Sequence, residues 1–335
     1  MTSNLGDNLR IIFAGTPETA IPALEALSSK HEIIGVFTRK PAPRGRKKIL
    51  TNSPVHDYAL TKEFTVYTPS TLRDYTVEKI ITELQPDAVA VVAYGLLIPV
   101  NLLNLPRLGW FNLHYSLLPR WRGASPVQAA IAAGDEEIGT CVFQIEAGLD
   151  TGPILQMQGF PRNPDLTATE VLQQLSISGA QQIVEVFDDL ARNNIEAHAQ
   201  VGESSYAPLL TTKDAQIDWN RLANCVQNQI HAYNESPGAW TVLNGIRIKI
   251  GAVTLAEDSF ESDLPAGSIY LAGKKVNVAT KNGAITLNLV SPAGKKWMNA
   301  ADWLRGVREN NPCFTLPDYC EKTANTANKA RNEKK

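Results

Sequence analysis

The segment Ala88-Val89-Ala90-Val91-Val92-Ala93 has no polar position on either side of its alternation. A strand of that kind is buried on both faces, as in a parallel sheet covered by helices above and below. It sits in a repeated strand–helix alternation. Residues 10–14 read as a strand closed by Gly15, and Thr16-Pro17-Glu18 as a helix start with Thr as N-cap and Pro at the first position. Ala20, Leu24 and Leu27 follow at helical spacing. Residues 33–37 and 64–67 are expected as strands, a helix opens at Ser53-Pro54, and residues 77–84 form another. The fold class is α/β: a doubly wound, mainly parallel, Rossmann-like sheet.

The texture changes after residue 200. Asn244-Gly245 separates residues 239–243 from 246–250, and Asn282-Gly283 separates 276–280 from 284–289. Short alternating runs around Asn-Gly are hairpin signals. They predict a small antiparallel β-barrel, OB-like, opened by a helix carrying Leu222, Val226 and Ile230 on one face. A length of 335 residues suits two domains. The expected division is a catalytic domain at 1–192, a linker at 193–206, a β-barrel domain at 207–318 and a disordered basic tail at 319–335.

Composition excludes several classes. With 44% apolar and 20% charged residues the chain is not wholly disordered. No run approaches the roughly 18 apolar residues of a membrane helix. Met1 to Arg10 has no basic-then-apolar leader. Cys141, Cys225, Cys313 and Cys320 form no short-spaced pair, so neither a disulfide framework nor a zinc site is expected. These features predict a cytoplasmic protein without membrane partners.

Two stretches could carry chemistry. If residues 110–114 form a strand, Asn112 and His114 project from one face, with His114 near the carboxyl end where open α/β sheets place their sites. An amide can donate to a developing oxyanion, and an imidazole exchanges protons near neutral pH. In the second stretch Asp150 lies between Gly148 and Gly152, which permit unusual backbone angles. A carboxylate beside His114 would favour its imidazolium form and orient it. Judged singly, each residue reads equally as a core histidine, a turn-capping Asn or a turn-forming Asp. The Gly15-to-Glu18 turn has one glycine, not the three of a dinucleotide fingerprint, which disfavours hydride transfer.

Taken in order, five blocks resemble the formyltransferase family that uses 10-formyltetrahydrofolate. They are Phe13-Ala14-Gly15-Thr16-Pro17, Ala93-Tyr94-Gly95-Leu96, Ser116-Leu117-Leu118-Pro119-Arg120-Trp121-Arg122-Gly123-Ala124, Gly148-Leu149-Asp150-Thr151-Gly152 and Pro292-Ala293-Gly294-Lys295-Lys296. The resemblance runs from Arg10 to about Leu316 and is closest to members that act on aminoacylated initiator tRNA. It implies that Asn112, His114 and Asp150 match the catalytic trio. It also implies that Ser116, Leu117, Leu118 and Pro119, with Tyr94, Gly95 and Leu96, contact folate. Gly15, Thr16 and Pro17 would border the pocket for the acceptor end. The implied reaction moves a formyl group from the folate to the amino group of methionine on initiator tRNA, by a monomer, without metal. Tyr115 stands where the family often has a small residue, and Cys141 where it usually has Thr. Formyltransferases acting on amino sugars or glycinamide ribonucleotide, and a noncatalytic RNA-binding protein, are the alternatives.

Charge distribution supports a tRNA partner. Six of the ten residues from Arg39 to Lys48 are basic (Arg39, Lys40, Arg44, Arg46, Lys47, Lys48) and none is acidic. The run matches in position an insertion that engages the acceptor arm in the tRNA-dependent members. The chain carries a net charge of −2, but unevenly: Met1 to Ser204 has 16 Lys+Arg against 22 Asp+Glu, and Ser205 to Lys335 has 16 against 12. Lys274, Lys275, Lys281, Lys295 and Lys296 could offer phosphates a basic surface in the second domain.

Overall fold

The computed structural model describes residues 8–45, 47–257 and 264–317. The leader reading at residues 1–7, Arg46 and the expected tail at 319–335 lie outside them. The chain divides into two compact units between Leu210 and Thr211.

The first unit is built on a seven-stranded sheet, ordered Ile154–Pro161, Glu137–Gln144, Gly109–His114, Ala88–Val92, Arg10–Gly15, Glu32–Phe37, Val66–Tyr67. Only Glu137–Gln144 runs against the others. All five residues of Ala88–Val92 are buried, as their apolar run predicts. The order reverses at Arg10–Gly15, whose neighbours are Glu32–Phe37 and Ala88–Val92. Ligand crevices form at such reversals, outside the carboxyl ends of the strands.

The helix starts partly follow the sequence. Ser53 caps Pro54–Thr61 by accepting from the His56 N–H. Thr16 does not cap: a 3₁₀ turn at Glu18–Ala20 precedes the helix Ile21–Ser28, and the Thr16 hydroxyl donates to the Tyr94 carbonyl at 2.8 Å. The 24-residue helix Ala168–Ala191, absent from the sequence reading, starts with a capping box in which Thr167 and Glu170 bond reciprocally. It buries Phe187 edge-on against Phe111, ring centroids 5.7 Å apart.

The second unit holds two four-stranded antiparallel sheets. The chain passes from one to the other at Gly251-Ala252 and at Asn288, as at the corners of a small barrel. Trp219 and Phe314 stack in its core, and half-buried Trp303 stacks on Phe314. Asn244 and Gly245 both adopt positive φ, 51° and 74°, the type I′ turn their sequence predicts. The second Asn-Gly behaves differently. Residues 280–283 form a four-residue connection, and Asn282 accepts from the Ala223 N–H at the start of the helix Ala223–Ala232. Val226 and Ile230 are buried on that helix, but Leu222 precedes it and is exposed.

Candidate active site

Asn112 and His114 extend from one face of Gly109–His114, the last residue of which ends the strand. Both line a cleft of about 910 Å³. Tyr94, Gly95 and Leu96 form one wall, residues 145–150 another, and Arg122-Gly123-Ala124 with residues 206–209 a third. Most of the lining is apolar: Val91, Leu96, Leu97, Ile98, Ile145 and Leu149. Such a lining suits a small organic ligand buried against apolar side chains and oriented by a few polar groups.

The trio assembles without direct bonds among its members. His114 is buried, and its Nε2 lies 3.0 Å from the Trp121 carbonyl oxygen. A carbonyl only accepts, so Nε2–H donates and Nδ1 carries the ring's basic lone pair. Burial lowers the His114 pKa below its ordinary 6.5; the Asp150 charge and the bond to Trp121 oppose this without reversing it. His114 is therefore neutral at pH 7, not the imidazolium that a carboxylate alone would favour.

Asp150 is held by one charge-assisted bond from the Gly123 N–H to its Oδ2, at 2.7 Å. Its φ is +50°, a left-handed conformation for a residue with a side chain. The flanking glycines serve a purpose other than the expected one. Neither Gly148 nor Gly152 has positive φ; a Cβ on Gly152 would overlap the Gln144 carbonyl oxygen, and one on Gly148 the Thr151 hydroxyl. They allow close approach of chain to chain.

One loop thus serves two catalytic candidates, Trp121 holding His114 and Gly123 holding Asp150. Trp121 is fixed in turn, at φ +63°, by its indole N–H donating to Asp135 Oδ2 at 2.7 Å, while Arg120 pairs with the same carboxylate and lies 4.5 Å over the indole. The segment expected as a linker, 193–206, belongs to this assembly. His198 pairs with Ile154 as a two-residue bridge. Ser205 accepts from the Trp121 N–H, and Tyr206–Ala207 runs parallel to Arg122–Gly123. Gln200 bonds Arg122 and the Asp150 loop.

The remaining expected residues divide. Tyr94, Gly95 and Leu96 line the cleft, whereas Ser116 and Leu117 border a separate cavity of about 40 Å³. The Ser116 hydroxyl donates to the Arg120 carbonyl at 2.7 Å, and Leu118 packs with Cys141 and Phe143 behind the His114 strand. That block supports the cleft wall instead of forming it. Gly15 is set by close packing, since a Cβ there would lie 3.1 Å from the Val92 carbonyl and 2.6 Å from the Phe13 ring. Thr16 ties its turn to Tyr94. The Tyr115 hydroxyl donates to the Thr19 carbonyl at 2.9 Å, and burial raises its pKa. Cys141 is fully buried opposite His114, its thiol pKa raised to about 12 by burial, which leaves it a packing residue.

The basic run is a two-stranded hairpin, Ala42–Arg44 with Ile49–Thr51, a structure its Pro and Gly content did not suggest. Arg39 donates to the Gly95 carbonyl at 2.6 Å, joining the base of the hairpin to the cleft wall. Lys295 and Lys296 are exposed in the turn after the strand Leu289–Pro292. Among the described residues no group of His, Cys, Asp and Glu could hold a metal, and no helix is long and apolar enough to cross a membrane.

Residues 9–187 match the Formyl transferase family, and residues 209–308 match Formyl transferase, C-terminal domain. The chain belongs to the formyl transferase family. It is 45% identical to the methionyl-tRNA formyltransferase of Corynebacterium diphtheriae, over 90% of this chain and 97% of that one. It is also 45% identical to that of Renibacterium salmoninarum, over 89% and 97%. Solved structures of formyltransferases share the fold. An N-formyltransferase from Helicobacter canadensis, in complex with folinic acid and dTDP-3-aminofucose, superposes with a TM-score of 0.64 at 18% identity, covering 83% of this chain and 98% of that one. The methionyl-tRNA formyltransferase from Clostridium thermocellum gives 0.55 at 16%, covering 75% and 95%.

Proposed function

We propose that the protein transfers the formyl group of 10-formyltetrahydrofolate to the free amino group of methionyl initiator tRNA. What carries the reading is the convergence of Asn112, His114 and Asp150 on one apolar cleft, in a chain that aligns over nine-tenths of its length with methionyl-tRNA formyltransferases.

The amine attacks the formyl carbon, and negative charge develops on the formyl oxygen. The Asn112 amide donates to that oxygen, a contribution of about 10²–10³-fold. Neutral His114 takes the proton that the attacking nitrogen sheds, worth about 10²–10⁴-fold. Asp150 stabilises the imidazolium as it forms, and as the oxyanion collapses the bond from the formyl carbon to the folate nitrogen breaks and that nitrogen takes the proton from His114. The cleft lining of Tyr94, Gly95 and Leu96 receives the folate ring system. Cys141 takes no part, since a thiol raised to about 12 is not a nucleophile at neutral pH.

The tRNA is held by charge. Lys40 just before the hairpin, Arg44, Lys47 and Lys48 on it, Arg46, and Lys295 and Lys296 on the second unit meet phosphates. On this reading the protein works as a monomer in the cytoplasm, with a catalytic domain, a tRNA-binding β domain and no metal. The deciding experiment incubates it with 10-formyltetrahydrofolate and charged initiator tRNA, beside charged elongator methionine tRNA, uncharged methionine and an amino-sugar nucleotide. Formylation of the initiator species alone is expected; formylation of the sugar alone would overturn the reading.

A further inference from the structure

Asp150 has a demanding backbone. It sits in the left-handed region, where a side chain crowds the chain, and such a residue persists only when its surroundings hold it. One bond from Gly123 fixes its carboxylate. Its main chain is fixed by another residue, Gln200, fifty positions away. The Gln200 amide nitrogen donates to the carbonyls of both Asp150 and Gly152, each at 2.8 Å. Its amide oxygen accepts from Arg122 Nη2 at 2.6 Å and from Nε at 3.2 Å. All four partners lie in the two loops that frame the cleft, and Arg122 is adjacent to the glycine that holds the Asp150 carboxylate.

Resting on the functional reading above, we propose that Gln200 is a positioning residue for formyl transfer, clamping the Asp150 loop to the Arg122-Gly123 loop. An amide is the one side chain suited to the place. It offers two donors to two carbonyls and an acceptor to a guanidinium at once. Glutamate keeps the acceptor for Arg122 but turns a second acceptor on the carbonyls. Methionine keeps the length and loses every bond.

The substitutions separate positioning from bracing. If Gln200 acts through the carbonyls of the Asp150 loop, Gln200→Met and Gln200→Glu both lower kcat by about 10- to 100-fold, the scale on which misplacing a catalytic group acts. KM for the folate and for tRNA stays within about twofold, and the thermal midpoint stays near that of the unaltered protein. In an Asp150→Asn background the Gln200→Met loss shrinks to about twofold or less, because coupled residues are non-additive. If Gln200 only braces Arg122, Gln200→Glu retains full kcat, which would overturn the proposal. So would a full, independent loss in the Asp150→Asn background. Absence of formyl transfer by the unaltered protein would instead overturn the functional reading on which the proposal rests.

Discussion

The two units spend their buried polar groups differently. In the first, side chains that converge on a cleft are held by the loop beside them: the Trp121 carbonyl bonds His114, the Gly123 N–H donates to Asp150, and Asp135 accepts from the Trp121 indole. In the second, two aromatic rings stack in the core, with Trp219 fully buried against Phe314 at 5.3 Å and its N–H on the Thr241 hydroxyl. The first unit places two of its left-handed residues, Asp150 and Trp121, where chemistry is proposed, and others such as Gln85 at helix ends. The second keeps left-handed backbone in turns, at Asn244 and Gly245. A site needs groups fixed in unfavourable places, whereas a surface for a polyanion needs a stable platform with cations on it.

That contrast breaks most visibly at Trp219. Trp219→Ala should cost about 3–5 kcal/mol in the second unit, measured by denaturant unfolding, and weaken tRNA binding while folate binding persists. Asn112→Ala should do the reverse, dropping kcat about 10²–10³-fold with an unchanged unfolding midpoint.

Protonation sharpens the comparison further. Burial places the His114 pKa below 6.5, so the midpoint of its NMR titration should fall on the acid side of that value. Asp150→Asn removes a charge that raises this pKa, and the midpoint should move lower still. The linked stability has a definite sign. Below pH 6.5 the unfolded chain binds the proton that folded His114 refuses, so this group's contribution is complete above 6.5 and is lost as pH falls toward the folded pKa. The smallest expected effect is in the second unit. Lys295→Ala with Lys296→Ala should reduce the slope of log affinity against log salt by roughly 1 to 2 and leave kcat unchanged at saturating tRNA.

Much of this was legible from the sequence, and the failures share a cause. The apolar run at Ala88–Val92 and the turn at Asn244-Gly245 state their structures locally, and both formed as read. The second Asn-Gly also joins a hairpin, but through a four-residue connection in which Asn282 bonds a helix terminus. The capping box at Thr167 and Glu170 was a readable signal for the longest helix. Asn112 and His114 were legible as a pair through strand alternation, and Asp150 joined them through the family resemblance. Gln200 and Ser205 carried no signal. In a polar stretch between a helix and a second domain they read as linker, and their partners lie 48 to 84 residues away. Nor could the sequence weigh burial against a nearby carboxylate at His114; only the packed site shows that burial wins.

The central claim, that His114 in this cleft moves the proton of formyl transfer, is tested most directly by single-turnover formylation of charged initiator tRNA with His114→Ala at saturating 10-formyltetrahydrofolate. A rate lower by about 10²–10⁴-fold, with folate binding and the unfolding midpoint preserved, is the predicted result. A rate within a few-fold of the unaltered protein would contradict it.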